Sequence, residues 1–354
     1  TDPVQTFIPV PTVFRRMATE QPANAFLDRG VATFMGAPLV DPTADELAAD
    51  AADAPDVGVV GFPFDSTCIS RTGTNQGPRA VRDASSQTRY YHFEYDTDLR
   101  DHYDVADCGD VPVVPGNAAR SLDQGTDYLD TLYEAGTMPV MLGGDHSVTI
   151  AGTRALANHA DDPGLVLVDT HFDTATEVAG ERYNHCCPIA RTIDEAGFDP
   201  EKVSIIGLTG PTNPRFELEW ARERGISLFT LDEVLQRGPV AVAEEAVAAA
   251  TDGSDALYLT LDIDVLDASA APGTGVPTNG GLHARELLKI LGVVASAGID
   301  AMDVVEVSPG PDAGGITARM AVRSIVDCLA ANAVGEAHAP GMGTAATAAC
   351  GDER

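Results

Sequence analysis

Asp169, His171 and Asp173 alternate along the chain directly after the unbroken apolar run Leu165, Val166, Leu167, Val168. Side chains two apart on extended backbone point the same way. Two carboxylates and an imidazole therefore converge at the end of a strand that reads as buried on both faces. That placement is unfavourable unless something positive binds the cluster, and a divalent metal is the simplest candidate. Alone, the D-x-H-x-D spacing is a weak signal, and a polar loop with a capping Asp reads the same way.

Two further stretches repeat the pattern. The mostly apolar run 258–261 ends in Asp262, Ile263 and Asp264, and Asp262 and Asp264 again share a face. The run 139–142 ends in Gly143, Gly144, Asp145 and His146. Ligands of open α/β sheets bind at the carboxyl ends of strands. The candidate ligands are thus His146, Asp169, His171, Asp173, Asp262 and Asp264. A single catalytic zinc takes about three protein ligands, so this set is too large for one. It suits a carboxylate-bridged pair of metals about 3.5–4 Å apart. Four carboxylates with two imidazoles favour Mn²⁺, and affinity order also permits Ni²⁺.

With these residues in place the chain resembles the ureohydrolases: arginases, agmatinases and related hydrolases of guanidino compounds. GGDHS at 143–147, DTHFD at 169–173 and LDIDVLD at 261–267 are similar to that family's three metal-ligand motifs. PGTGVPTNGGL at 272–282, GFPFDS at 61–66 and GPRAVRDAS at 77–85 extend the likeness over roughly residues 57–330. The agmatinase branch fits best, because the loop 175–184 lacks the arginase element that reads an α-amino acid. The resemblance implies Asp169 and Asp262 as bridges. His146 and Asp173 would complete one metal, and His171 and Asp264 the other. A metal-activated water would attack the central carbon of a guanidinium, giving urea and an amine. Glu306, at the end of the mostly apolar run 301–305, matches the family's substrate-binding Glu. His185 and Pro188 match a His-Gly-x-Pro element whose His passes a proton to the leaving amine, but Cys186 replaces the Gly. His185, Glu306 and the ligand Asp264 make up the expected catalytic set, with Glu306 and His185 also contacting substrate. Asp145 and Ser147 are expected to orient ligands. Arg71, Asn75 and Arg79 read first as structural, and otherwise would shape the mouth or a subunit contact. Guanidine or a guanidino acid are alternative substrates, arginine a weaker one. A non-catalytic metal-dependent binding protein on the same fold is the different-class alternative, and intact ligands with Glu306 argue against it. The family also implies a homo-oligomer, a trimer or hexamer.

The elements that must position these residues alternate strand and helix, which gives a parallel sheet covered on both faces. The expectation is a single three-layer α/β/α domain with a mostly parallel sheet, arginase-like by resemblance. Strands are expected at 57–60, 139–142, 165–168, 203–207, 227–230, 256–261 and 301–307. Helices are expected over 80–86, 121–135 with Ser121 as N-cap, 147–159, 188–196, 214–224, 239–250, 284–297 and 317–333. Residues 32–35 read as a short strand or turn, 44–52 as an acidic helix, and 107–109 as a polar bend. Residues 1–55, with seven prolines, read as an N-terminal arm. Residues 56–334 would be the catalytic domain, and 335–354 a flexible tail.

Asp and Glu number 54 against 22 Lys and Arg, a net charge of −32 over 354 residues, and the only lysines are Lys202 and Lys289. Such a surface repels nucleic acid and anionic membranes. The acids are spread along the chain, as suits concentrated salt, where charges are screened over about 3 Å at 1 M. A salt-accumulating host such as a haloarchaeon is the expectation. No apolar run nears the roughly 20 residues of a membrane span. The N-terminus lacks signal-peptide features, so a cytoplasmic location is expected by default. None of the six cysteines forms C-x-x-C, so free thiols are expected, with Cys186 and Cys187 the pair that could narrow the substrate site.

Overall fold

A computed structural model describes residues 32–43 and 54–335. Eight strands form one sheet: β1 Val57–Gly61, β2 Val105–Asp110, β3 Met138–Leu142, β4 Gly164–Val168, β5 Val203–Leu208, β6 Ser227–Thr230, β7 Leu257–Asp262 and β8 Ala301–Val305. Their order is β2-β1-β3-β8-β7-β4-β5-β6, and every pairing is parallel. A separate two-residue hairpin pairs Tyr91–His92 with Thr97–Asp98.

The helices are α1 Gly77–Ser85, α2 Ala118–Glu134, α3 Thr149–His159, α4 Pro188–Asp194, α5 Arg215–Arg224, α6 Leu231–Arg237, α7 Pro239–Ala250, α8 Ala284–Ser296 and α9 Ile316–Val334. One layer packs α1, α9, α8 and α7 side by side, and the other packs α2, α3 and α4. Strand residues alternate between the layers. Val166 and Val168 join the core under α7–α9, whereas Leu165 and Leu167 face Leu156 of α3 and Ile189 of α4. Burial on both faces is why these strands read as unbroken apolar runs. The expected three-layer architecture is the one observed.

Several local expectations need correction. The polar bend at 107–109 is strand β2. Its acid Asp107 is 1% exposed and is held by Arg82, with Nε to Oδ2 2.8 Å and Nη2 to Oδ1 2.9 Å. Helix α2 starts three residues before Ser121. Asn117 caps it by accepting the Arg120 N–H, and Ser121 lies buried inside. Helix α6 lies outside the expected elements, although Thr230 and Glu233 form a capping box at its start. Residues 34–36 form a single 3₁₀ turn, docked through Phe34 N–H on Asp107 and Met35 N–H on Ser85. The helix expected at 44–52, most of the arm and all of the tail after Gly335 lie outside the described residues. Among the described residues, no helix is long and apolar enough to cross a membrane.

Candidate active site

Four neighbouring strands at the centre of the sheet, β3, β8, β7 and β4, send their carboxyl ends to one spot. After β3 the chain passes Gly143 and Gly144. A Cβ on Gly144 would lie 1.8 Å from the Phe64 carbonyl oxygen, so only glycine permits this approach. The same carbonyl accepts the Asp145 N–H at 2.7 Å and fixes the turn that presents His146. β4 delivers Asp169 as the next residue. β7 ends on Asp262, whose Oδ1 accepts the Asp264 N–H at 2.8 Å and caps a single 3₁₀ turn. β8 is followed by Glu306. Asp173 and Glu306 hold φ values of 52° and 62°. Left-handed backbone at non-glycine residues costs roughly 1–3 kcal/mol each and is retained where surroundings enforce it.

The side chains form two groups of metal-ligating type, buried apart from the half-buried His171, that meet at one carboxylate. In the first, His146 Nδ1 lies 2.8 Å from Asp173 Oδ2, 3.3 Å from Asp169 Oδ2 and 3.3 Å from Asp262 Oδ2. In the second, His171 Nδ1 lies 3.4 Å from both Asp169 Oδ1 and Asp264 Oδ2. Asp169 thus turns one oxygen to each imidazole. The structure places Asp262 with the first group, and its other oxygen serves the Asp264 amide.

This packing is suited to cations. His146 Nδ1, Asp169 Oδ2 and Asp264 Oδ1 are buried without a hydrogen-bond partner. Burial, reinforced by the Asp169 charge, raises the pKa of Asp173 and lifts Asp262 to about 7. Burial and the Asp262 charge push Asp264 well up. Carboxylates crowded this closely do not all ionise unless positive charge joins them. Orphaned lone pairs on hard oxygen and imidazole donors fit Mn²⁺-type ions.

Behind His146 stands a hydrogen-bond relay. Its Nε2 meets Thr260 Oγ1 at 3.1 Å, and Thr260 Oγ1 lies 3.5 Å from Thr149 Oγ1, which leads to the Asp303 carboxylate. Asp303 accepts from Tyr258 Oη and Thr149 Oγ1, each at 2.8 Å. With the proton on Nε2, the Nδ1 lone pair is left facing the three carboxylates, the usual outer support of a metal-binding His. Asp303 interrupts an otherwise apolar strand, which was the available signal for it. Glu217 on α5 was also missed. It is buried, takes the Thr174 N–H at 3.2 Å and is raised to about 7 by burial and then by Asp173.

His185 and Glu306 also meet here. Glu306 Oε1 accepts from His185 Nδ1 at 3.0 Å and from the His146 N–H at 2.9 Å. His185 Nε2 accepts the Ile69 N–H at 3.2 Å. Cys68, not foreseen, joins them in a third group of ligand-type atoms. Among the described residues, the Asp145 carboxylate bonds to Ser147 and Thr67 and to no metal-site side chain. Its Oδ1 accepts from Ser147, and its Oδ2 clamps Thr67 through the amide at 3.0 Å and the hydroxyl at 2.8 Å. It therefore ties the 61–66 segment's extension to the His146 turn. Cys187 is fully buried in the protein interior, whereas Cys186 is half-buried. Arg79 pairs with Asp83 at 3.9 Å on the surface, and exposed Arg71 forms no ion pair among the described residues.

The model of the Arginase family matches residues 55–331. The chain belongs to the arginase family. Among its relatives, proclavaminate amidinohydrolase from Streptomyces clavuligerus is 35% identical over 75% of this chain and 84% of that one. Its solved structure covers 87% of this chain and 98% of its own, with a TM-score of 0.80. Guanidinopropionase from Pseudomonas aeruginosa is 34% identical over 85% and 91% of the two chains. Agmatinase from Bacillus anthracis is 35% identical over 72% and 84%. As a member of this family the chain is an amidinohydrolase, which acts on amidine C–N bonds.

Proposed function

We propose that this arginase-family chain hydrolyses an agmatine-type guanidino compound to urea and an amine at a pair of divalent cations. One observation carries the reading: two ligand groups meet at Asp169, with one oxygen towards each imidazole. His146, Asp169, Asp173 and Asp262 would hold one ion. Asp169, His171 and Asp264 would hold the other. Mn²⁺ is the proposed metal and Ni²⁺ the alternative. When bound, such a pair supplies the charge that makes water a nucleophile near neutral pH.

The protein's own groups do the rest. Glu306 Oε1 is occupied by His185 and the His146 amide, which leaves Oε2 to accept guanidinium N–H groups. A charged acceptor strengthens such bonds. His185 lies against Glu306 and is positioned to pass a proton to the departing nitrogen. The net charge of −32 attracts the dication agmatine, whereas a guanidino acid is a zwitterion without net charge and is drawn less, which favours the agmatine reading.

A guanidino acid is the second reading. Relatives carry the names guanidinopropionase and guanidinobutyrase, and Arg71 is an exposed cation without an ion pair among the described residues. Its carbonyl oxygen would lie 3.1 Å from a Cβ on Gly275, and Glu306 Oε2 3.7 Å from the same point. A urea assay over guanidine, agmatine, arginine and guanidino acids, with Mn²⁺ and Ni²⁺ compared, tests both readings. Agmatine should give the highest kcat/KM, and no urea from any of them would refute the proposal. A cytoplasmic homo-oligomer, trimer or hexamer, completes it on family grounds.

A further inference from the structure

Cys68, His185 and Glu306 each offer one ligand atom, and these atoms lie within 4.8 Å of one another. The three residues come from separate parts of the chain: the loop after β1, the turn before α4 and the end of β8. None belongs to the two groups around Asp169. We propose that this trio is a third metal site, for a soft divalent ion such as Zn²⁺ or Cd²⁺, and that its occupation blocks the guanidinium subsite. The inhibitory half of the inference rests on the reading of Glu306 given above; the site itself does not.

The donor set separates this site from its neighbours. The paired groups offer only oxygen and imidazole nitrogen, whereas the trio adds a thiol. Thiolate selects zinc-like ions over Mn²⁺. A third, soft ion can therefore bind while the paired groups hold their own metals. His185 is 9% and Glu306 4% exposed, so both are already withdrawn from bulk water, and Cys68 is partly open.

Each donor has capacity to spare. Glu306 uses Oε1 for both of its hydrogen bonds, and Oε2 has no partner among the described residues. With Nδ1 donating to Glu306, the His185 lone pair sits on Nε2, which accepts the Ile69 N–H at 3.2 Å. Ile69 is 61% exposed, so its amide can turn to water when a metal takes Nε2. The retained Nδ1–H to carboxylate bond is the arrangement that orients metal-bound histidines. The Cys68 thiol has a weak hydrogen-bond contact with Thr74 Oγ1, at 3.8 Å. Burial, with Glu306 and Asp145 nearby, keeps it protonated in the metal-free site, so binding releases its proton. The Zn–S bond forms as the S–H bond breaks, and the proton goes to solvent.

The test uses the full chain loaded with Mn²⁺. Cd²⁺ is titrated in while the near-ultraviolet Cd–thiolate charge-transfer absorption is followed. One equivalent of thiolate-bound Cd²⁺ is expected in the parent protein. Cys68→Ser should remove the band, and His185→Asn should weaken Cd²⁺ binding at least tenfold. In parallel, Zn²⁺ should slow urea release competitively with substrate in the parent and at least tenfold less effectively in Cys68→Ser. An absent band, or one unchanged in Cys68→Ser, overturns the site. A Cys68-dependent band without competitive inhibition keeps the site and overturns the blocking role. The band is read without substrate, so an inactive enzyme would refute the functional reading while leaving the metal site tested.

Discussion

Replacing Thr260 by valine probes the metal centre without touching a ligand. Thr260 is fully buried, and valine matches its shape while deleting the oxygen that lies 3.1 Å from His146 Nε2. The change leaves the Nε2–H buried and unsatisfied, at a cost of about 1–3 kcal/mol. It also frees the imidazole to put its proton on Nδ1, the nitrogen that faces Asp169, Asp173 and Asp262. Loss of such outer support typically weakens metal binding about 10–100-fold. At about 1.4 kcal/mol per tenfold, that is roughly 1.4–2.8 kcal/mol, the same range as the desolvation cost. The assay strips the protein of metal and follows urea release against free Mn²⁺. The midpoint should rise about 10–100-fold, and saturating Mn²⁺ should restore the plateau to within a few-fold. A folded Thr260→Val protein with an unshifted midpoint would refute the claim that the relay sets the His146 tautomer.

Three other outcomes follow from the same structure. Arg82→Met leaves Asp107 buried and uncompensated, so thermal unfolding should show a loss of about 3–5 kcal/mol; a change under 1 kcal/mol would contradict the role given to that pair. The net charge of −32 predicts a melting temperature that climbs from low to molar monovalent salt, and a flat or falling trend would oppose it. Because Cys187 is buried in the interior, only Cys186 can narrow the substrate site. Cys186→Gly should shift the ratio of agmatine to guanidine turnover towards agmatine, and an unchanged ratio would make Cys186 a packing residue.

The ligand-bearing strands were readable because a parallel strand buried on both faces must be apolar along its length, and acids at its end then stand out. All six candidate ligands come together, as the alternation at 169–173 and at 262–264 implied. What stayed hidden was non-local. Strand β2 carries Asp107 and Asp110, which look like a bend until Arg82, distant in sequence, neutralises them. Cys68 looked like one more free thiol because His185 and Glu306, more than a hundred residues away, give it company. Asp303 is visible in the sequence only as a blemish in an apolar strand, since its partners Tyr258 and Thr149 sit on other elements. The capping box of Thr230 and Glu233 was local and readable, yet the helix it starts spans only Leu231–Arg237.

The central claim is that two metals joined through Asp169 make this chain a urea-forming enzyme. Metal-stripped protein, titrated with Mn²⁺ and assayed for urea from agmatine, tests it most directly. Activity should climb until two equivalents per chain are bound, and Asp169→Ala should bind neither ion tightly and release no urea. Full turnover by metal-free protein, or a plateau at one equivalent, would contradict it.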